Sequence, residues 1–177
     1  IGMSLFLPDM YKKSIFDINY ELLKKKGIKV LIFDFDNTLV EKERDIFTSD
    51  TEKLLNDLKK DFDIVIVTNI VGPNKVEKLH KCLDPLDVSF INFSVKPSKK
   101  GYKKAMKMFC YDKSSFCAIG DQFLTDVLGA KRFGIFSILV DGISNNELAV
   151  TKFNRIIEKR VLKSIHKKYG FEKEKYY

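Results

Sequence analysis

The sequence predicts an α/β fold: a Rossmann-like three-layer sandwich around a central, mainly parallel five-stranded sheet. Three observations carry this. Short apolar runs rich in Val and Ile stop at polar residues and are too short to be helices of their own. Stretches with apolar residues at helical spacing separate those runs, and that alternation implies right-handed crossovers with any ligand site at the carboxyl ends of the strands. The chain has 177 residues, 45% hydrophobic and 32% charged, with nine Gly and four Pro, which fits one folded domain and argues against disorder.

Taken in order, Ser14 to Lys26, ended by Gly27, is predicted as a helix ahead of the sheet. Lys29 to Phe35 is the first predicted strand, apolar on both faces until its acids. Ile64 to Val67, Val88 to Phe93, Phe116 to Ile119 and Ile135 to Val140 repeat the pattern, with Ser89 and Asn92 weakening the third. Helices are expected over Asp50 to Lys60, where Leu54, Leu55 and Leu58 share a face, and over Lys75 to Leu83, Lys100 to Phe109 and Leu124 to Phe133, the last closed by Gly134. A final helix, capped by Thr151, carries Phe153, Ile156, Ile157, Val161 and Ile165 opposite Lys159, Lys163 and Lys167. The expected layout is one domain: a basic helical extension over 1–28, a catalytic core over 29–145 and a basic amphipathic helix over 146–177.

The formal charge is +8, carried by the ends: 1–30 hold +3 and 152–177 hold +6, so the stretch between is near neutral. Such a distribution suits an anionic partner, either a lipid surface or nucleic acid, and equally suits solvated Lys-rich helix faces. No apolar run reaches the roughly 18 residues needed to cross a bilayer, and nothing after Ile1-Gly2-Met3 is laid out as a secretory signal. A cytoplasmic location is expected, with peripheral membrane contact through the basic ends as an added expectation. Cys82, Cys110 and Cys117 are odd in number and lack a paired spacing, so they are expected as reduced core residues. A cysteine phosphatase needs Arg six residues after its nucleophile, where these cysteines are followed by Val88, Phe116 and Phe123.

The chemistry gathers at the predicted strand ends. Asp34-Phe35-Asp36-Asn37-Thr38 leaves the first strand, and alternation puts the two acids on one side. One carboxylate can attack phosphorus while the other moves protons to the leaving alkoxide and from water. A calcium loop would also alternate acids, but Leu39 stands where Gly is required and Asp45 where Glu is. Thr68-Asn69 ends the second strand with a hydroxyl and an amide for phosphoryl oxygens, and Lys96 follows the third with the cation that two mutually repelling anions need. Gly120-Asp121 ends the fourth, with Asp126 five residues later. Asp121 could complete an oxygen shell for Mg2+ with Asp34 and the Asp36 carbonyl, with Asp126 behind it or capping the helix. Hard oxygen donors without a His cluster favour magnesium over zinc.

Asp34-x-Asp36-x-Thr38, Thr68-Asn69, Lys96-Pro97 and Gly120-Asp121 with Asp126, in that order, resemble the four-motif signature of the haloacid dehalogenase (HAD) superfamily, subfamily IIIA. Leu7-Pro8-Asp9 with Ser14-Ile15, Asp36-Asn37-Thr38-Leu39, Gly120-Asp121-Gln122 with Thr125-Asp126, and Asn154-Arg155 resemble the bacterial YqeG family, which is similar to mitochondrial phosphatidylglycerophosphate phosphatase. The resemblance implies a Mg-dependent phosphatase with Asp34 as nucleophile, Asp36 as general acid/base, Thr68 and Asn69 as phosphate ligands, Lys96 as charge neutraliser and Asp121 as metal ligand. Thr38 and Asp126 would support them. It implies a phosphorylated substrate, with a lipid head group as the expected one. Thr68 stands where Ser is common, which keeps the hydroxyl. Only about ten residues separate Val40 from Asp50, and one helix and one strand fill Asn69 to Lys96, so no cap domain is expected. The competing class is a binding or scaffold protein on this fold, serving nucleic acid or the ribosome through its basic ends.

Overall fold

A computed structural model describes residues 2–144 and 152–176. The strands are β1 (Met10–Lys12), β2 (Val30–Phe33), β3 (Asp63–Val67), β4 (Ser89–Ile91), β5 (Phe116–Gly120) and β6 (Phe136–Val140). The helices are α1 (Tyr20–Lys25), α2 (Ser49–Leu58), α3 (Pro73–Leu83), α4 (Lys100–Met108), α5 (Leu128–Phe133) and α6 (Lys152–Tyr169). All paired strands run parallel in the order β1-β6-β5-β2-β3-β4.

Burial on both faces explains the unbroken apolar runs. Leu31, Phe33 and Phe35 pack with Leu55 of α2 and Leu79 of α3, while Val30 and Ile32 face the other way onto Tyr102 and Ala105 of α4 and Phe133 of α5. A third cluster covers the β1–β6 edge: Tyr11, Leu139, Phe123 and Val127 meet Val161 and Ile165 of α6 and Phe171 beyond it. Gly134 closes α5 at φ 88°, a left-handed cap that glycine adopts without a Cβ clash.

Several expectations change. The sheet has six strands rather than five, because Met10–Lys12 pairs with Ile138–Val140 at one edge. A strand of three residues carries too little pattern to be read alone. The helix expected over 14–26 is broken: Ser14 Oγ accepts from Phe16 N and donates to Asp17 Oδ2, closing a separate 3-10 turn, and Asn19 then caps α1 by accepting from Leu22 N. The helix expected over 124–133 opens as a π turn at Phe123–Val127, where Asp126 N and Val127 N both donate to Gln122 O. In α6, Val161 and Ile165 are buried and Lys159, Lys163 and Lys167 exposed as expected, but Ile156 is half exposed. The expected Thr151 cap lies outside the described residues, as does the side chain of Phe153. Cys82 and Cys117 are buried, whereas Cys110 is exposed and is no core residue. Neither 41–48 nor 70–95 contains an inserted domain, so no cap covers the site among the described residues.

Candidate active site

The sheet order reverses beside β2, since the chain runs from β2 outward to β4 and returns on the other flank as β5. Such a reversal leaves a crevice at the carboxyl ends of the neighbouring strands. Asp34 N donates to Ile119 O at 2.9 Å, which fixes Asp34 just past β2 and beside the Gly120-Asp121 step of β5. The chain then folds tightly on itself: Leu39 N donates to Phe35 O and Asn37 N to Val40 O, with Asn37 at φ 61°. Asn is among the few side chains that accept this left-handed conformation readily.

Lys96 is buried and donates to Asp34 Oδ1 at 2.6 Å and to Asp126 Oδ1 at 2.5 Å. Burial alone would push the Lys96 ammonium down, but Asp126 and Asp34 outweigh it and hold it charged. Burial, reinforced by Asp126, pushes the Asp34 carboxyl up to about 8 despite Lys96. Burial and then Asp126 likewise push Asp121 up to about 6, against the hydrogen bond from Thr38. Acids are crowded here: one oxygen each of Asp34, Asp121 and Asp126 lies within 4.8 Å of the others, and Lys96 pairs with Asp34 and Asp126. A buried set of this sign fits a divalent ion, and oxygen donors alone suit magnesium.

Each acid is positioned by other groups. Thr38 Oγ1 donates to Asp121 Oδ1 at 3.0 Å, and Asp126 Oδ2 accepts from Gln122 N at 3.1 Å. A Cβ at residue 120 would overlap the Asp126 carboxyl, so the glycine admits that side chain under β5. Around this floor Asp36, Lys42, Thr68, Asn69, Val71, Lys75, Gln122 and Thr125 line an open depression of about 200 Å³.

The family model for the mitochondrial PGP phosphatases matches residues 2–144. The chain belongs to the mitochondrial PGP phosphatase family. The "Probable phosphatase YqeG" of Bacillus subtilis is 36% identical over 163 residues, covering 92% of this chain and 93% of that relative. Phosphatidylglycerophosphate phosphatase 1, chloroplastic/mitochondrial, of Arabidopsis thaliana is 26% identical over 147 residues, 80% of this chain but 42% of the plant protein. A haloacid dehalogenase-like hydrolase from Xanthomonas campestris shares the fold at TM-score 0.55 and 11% identity, covering 78% of this chain and 95% of that one. The structure of YfnB from Bacillus subtilis, described as a HAD-hydrolase bound to magnesium, does so at TM-score 0.52 and 14% identity, over 63% and 88% of the two chains. This family member is a phosphatase, acting on a phosphorylated substrate, and its fold is the one seen in HAD-type hydrolases.

All the residues expected at the site of this PGP phosphatase family member converge, but two are used in ways that spacing does not reveal. The Asn69 amide is turned onto the next motif: Oδ1 accepts from Lys96 N at 2.7 Å and Ser94 Oγ at 2.8 Å, while Nδ2 donates to Lys96 O at 3.1 Å. Asn69 therefore sets the Lys96 backbone and has one amide hydrogen left for a ligand. Asp36 faces Lys78 Nζ at 3.9 Å.

Lys78 itself was not legible as a site residue. Its side chain is buried on α3 and donates to the carbonyls of Glu41 and Lys42 at 3.1 and 3.0 Å, tying the segment after the Asp34-Asp36 turn to the helix. Asn37 is the second missed residue: it donates weakly to Asp121 at 3.4 Å and holds Ser144 through Ser144 N at 2.9 Å. The one local signal was a lysine among the apolar positions of α3, beside Leu79, Cys82 and Leu83.

Proposed function

We propose that this phosphatase is Mg-dependent, works through an aspartyl-phosphate on Asp34, and takes phosphatidylglycerophosphate as its substrate. The observation that carries the reading is the Asp34–Lys96–Asp126 chain beside Asp121 at the floor of an open mouth. An Asp34 carboxylate oxygen attacks phosphorus, the P–O bond to the alcohol breaks, and Asp36 gives its proton to the departing alkoxide. Asp36 then takes a proton from water as the water oxygen attacks the acyl phosphate. The P–O bond to Asp34 breaks, releasing inorganic phosphate and restoring the carboxylate.

Lys96 offsets the repulsion between nucleophile and phosphate. Thr68 Oγ1 accepts weakly from Ile70 N at 3.4 Å, which leaves its own proton for a phosphoryl oxygen. Asn69 contributes its remaining amide hydrogen. Asp34, Asp121 and the Asp36 carbonyl would hold magnesium, which supplies the positive charge that steadies nucleophile and phosphate when bound. Asp126 keeps Lys96 in place, and Thr38 keeps Asp121.

The mouth, at about 200 Å³, is smaller than the roughly 300–1,000 Å³ of sites that enclose small ligands. It holds a phosphate and leaves the rest of the substrate outside, which suits a head group presented by a membrane. The family description and the name of the plant relative supply the choice of lipid. The basic ends, with Lys159, Lys163 and Lys167 exposed on α6, would meet anionic lipid at the cytoplasmic face.

A panel of phosphorylated lipids, sugars, nucleotides and peptides, assayed with magnesium and with chelator, tests this. Asp34→Asn should lower turnover by at least about three orders of magnitude with the fold intact. Near-normal activity in that variant would refute covalent catalysis. Much faster turnover of soluble esters than of the lipid phosphate would decide against the substrate.

A further inference from the structure

The stretch after β4 alternates in an unusual way. Ser94 and Lys96 are buried, with Asn69 holding both, while Phe93 and Val95, which alternate with them, are 67% and 47% exposed. Phe93 and Val95 stand at φ 48° and 55°. A bulky or β-branched side chain in this left-handed region is strained. Turning Ser94 and Lys96 inward accounts for the backbone path but not for the side chains on it. Asn or Gly at both positions would relieve the strain and remove the apolar exposure together. Phe and Val stand there instead.

This stretch adjoins the active-site mouth, which Ile70, Val71 and Lys96 line. Phe93 N donates to Ile70 O at 3.0 Å, which sets Phe93 alongside Val71, itself 50% exposed and lining the mouth. Lys42 and Lys75, both exposed, line the same mouth. Apolar tips beside amines, around a site that accepts phosphate, match the layers of a bilayer surface: tips enter the boundary of the acyl chains while amines meet anionic head groups.

We propose that Val71, Phe93 and Val95, with Lys42 and Lys75, form a docking rim that seats the catalytic mouth directly on an anionic phospholipid bilayer. The proposal rests on the lipid-phosphate reading above and goes beyond it, because the contact is made by the mouth itself and not by the basic ends alone. Docking so small a patch is reversible, with neither apolar tips nor amines sufficient separately.

The chain has no Trp, so Phe93→Trp introduces a single indole at the rim. Its emission should shift to the blue with vesicles of phosphatidylcholine plus phosphatidylglycerol and stay unshifted with phosphatidylcholine alone. Phe93→Asn, which suits the left-handed backbone, should weaken sedimentation with the mixed vesicles about 10-fold while hydrolysis of a soluble aryl phosphate is unchanged.

Unshifted emission on mixed vesicles, in an enzyme that cleaves the lipid phosphate in detergent micelles, would overturn the rim and spare the substrate. No cleavage of lipid phosphate in micelles or vesicles would overturn the substrate reading, whatever the indole reports. Vesicle binding lost on changing Lys159, Lys163 and Lys167 to Glu, yet kept by Phe93→Asn, would assign docking to the basic end and refute the rim. A dimer in analytical ultracentrifugation that Phe93→Asn dissociates would assign the patch to a second copy and also refute it.

Discussion

At the residue scale, the acids of the site followed from spacing because a strand end is a local feature: a run such as Val30-Leu31-Ile32-Phe33 stops where Asp34 begins. Lys78 did not follow, because its role exists only once α3 lies beside the segment after β2. Its two carbonyl acceptors belong to Glu41 and Lys42, far away in sequence. Without the amine, two half-buried carbonyls lose their donor, at about 1–3 kcal/mol each if water cannot replace it. Because Lys42 lines the mouth and Asp36 faces the same amine, Lys78→Met should lower kcat about ten-fold as well as Tm. Lys78→Arg should recover part of both. A Lys78→Met enzyme with full kcat and only a lowered Tm would confine the residue to stability.

At the element scale, helices and strands of ordinary length were legible from periodicity, whereas the π turn at Phe123–Val127 was not. Its cause is the site itself. Asp126 must turn inward to reach Lys96 and Gln122 N, and the wider turn delivers it there. Gly120 provides the space on the facing strand. Gly120→Ala should displace Asp126, loosen Lys96, and reduce turnover by about 100-fold or more, because misplacement by about an ångström can cost that much. Circular dichroism should stay native, since β5 remains an apolar strand. Turnover within two-fold of the parent would show that Asp126 does not set the Lys96 position.

For the whole molecule, burial of the acid cluster couples stability to pH and, with the proposed magnesium, to metal. Without metal, Asp34 and Asp121 stand at about 8 and about 6, above the ordinary aspartate value of about 3.9 expected in the unfolded chain. Their contribution to stability is therefore fully present below about pH 4 and is lost as pH rises through about 6 and then 8. In the proposed site magnesium would compete with those protons, so saturating magnesium should raise Tm more at about pH 8 than at about pH 5. Equal gains in calorimetry at both values would sink the magnesium assignment. A different consequence attaches to the edge strand that the sequence pattern could not reveal. Met10–Lys12 must wait for Ile138–Val140, so more than a hundred residues are synthesised before the sheet can be completed. By then every strand end that carries the site has left the ribosome. Contacts so remote in sequence form late, and β1 thus acts as a clasp on a finished core, which a prematurely terminated chain cannot fasten.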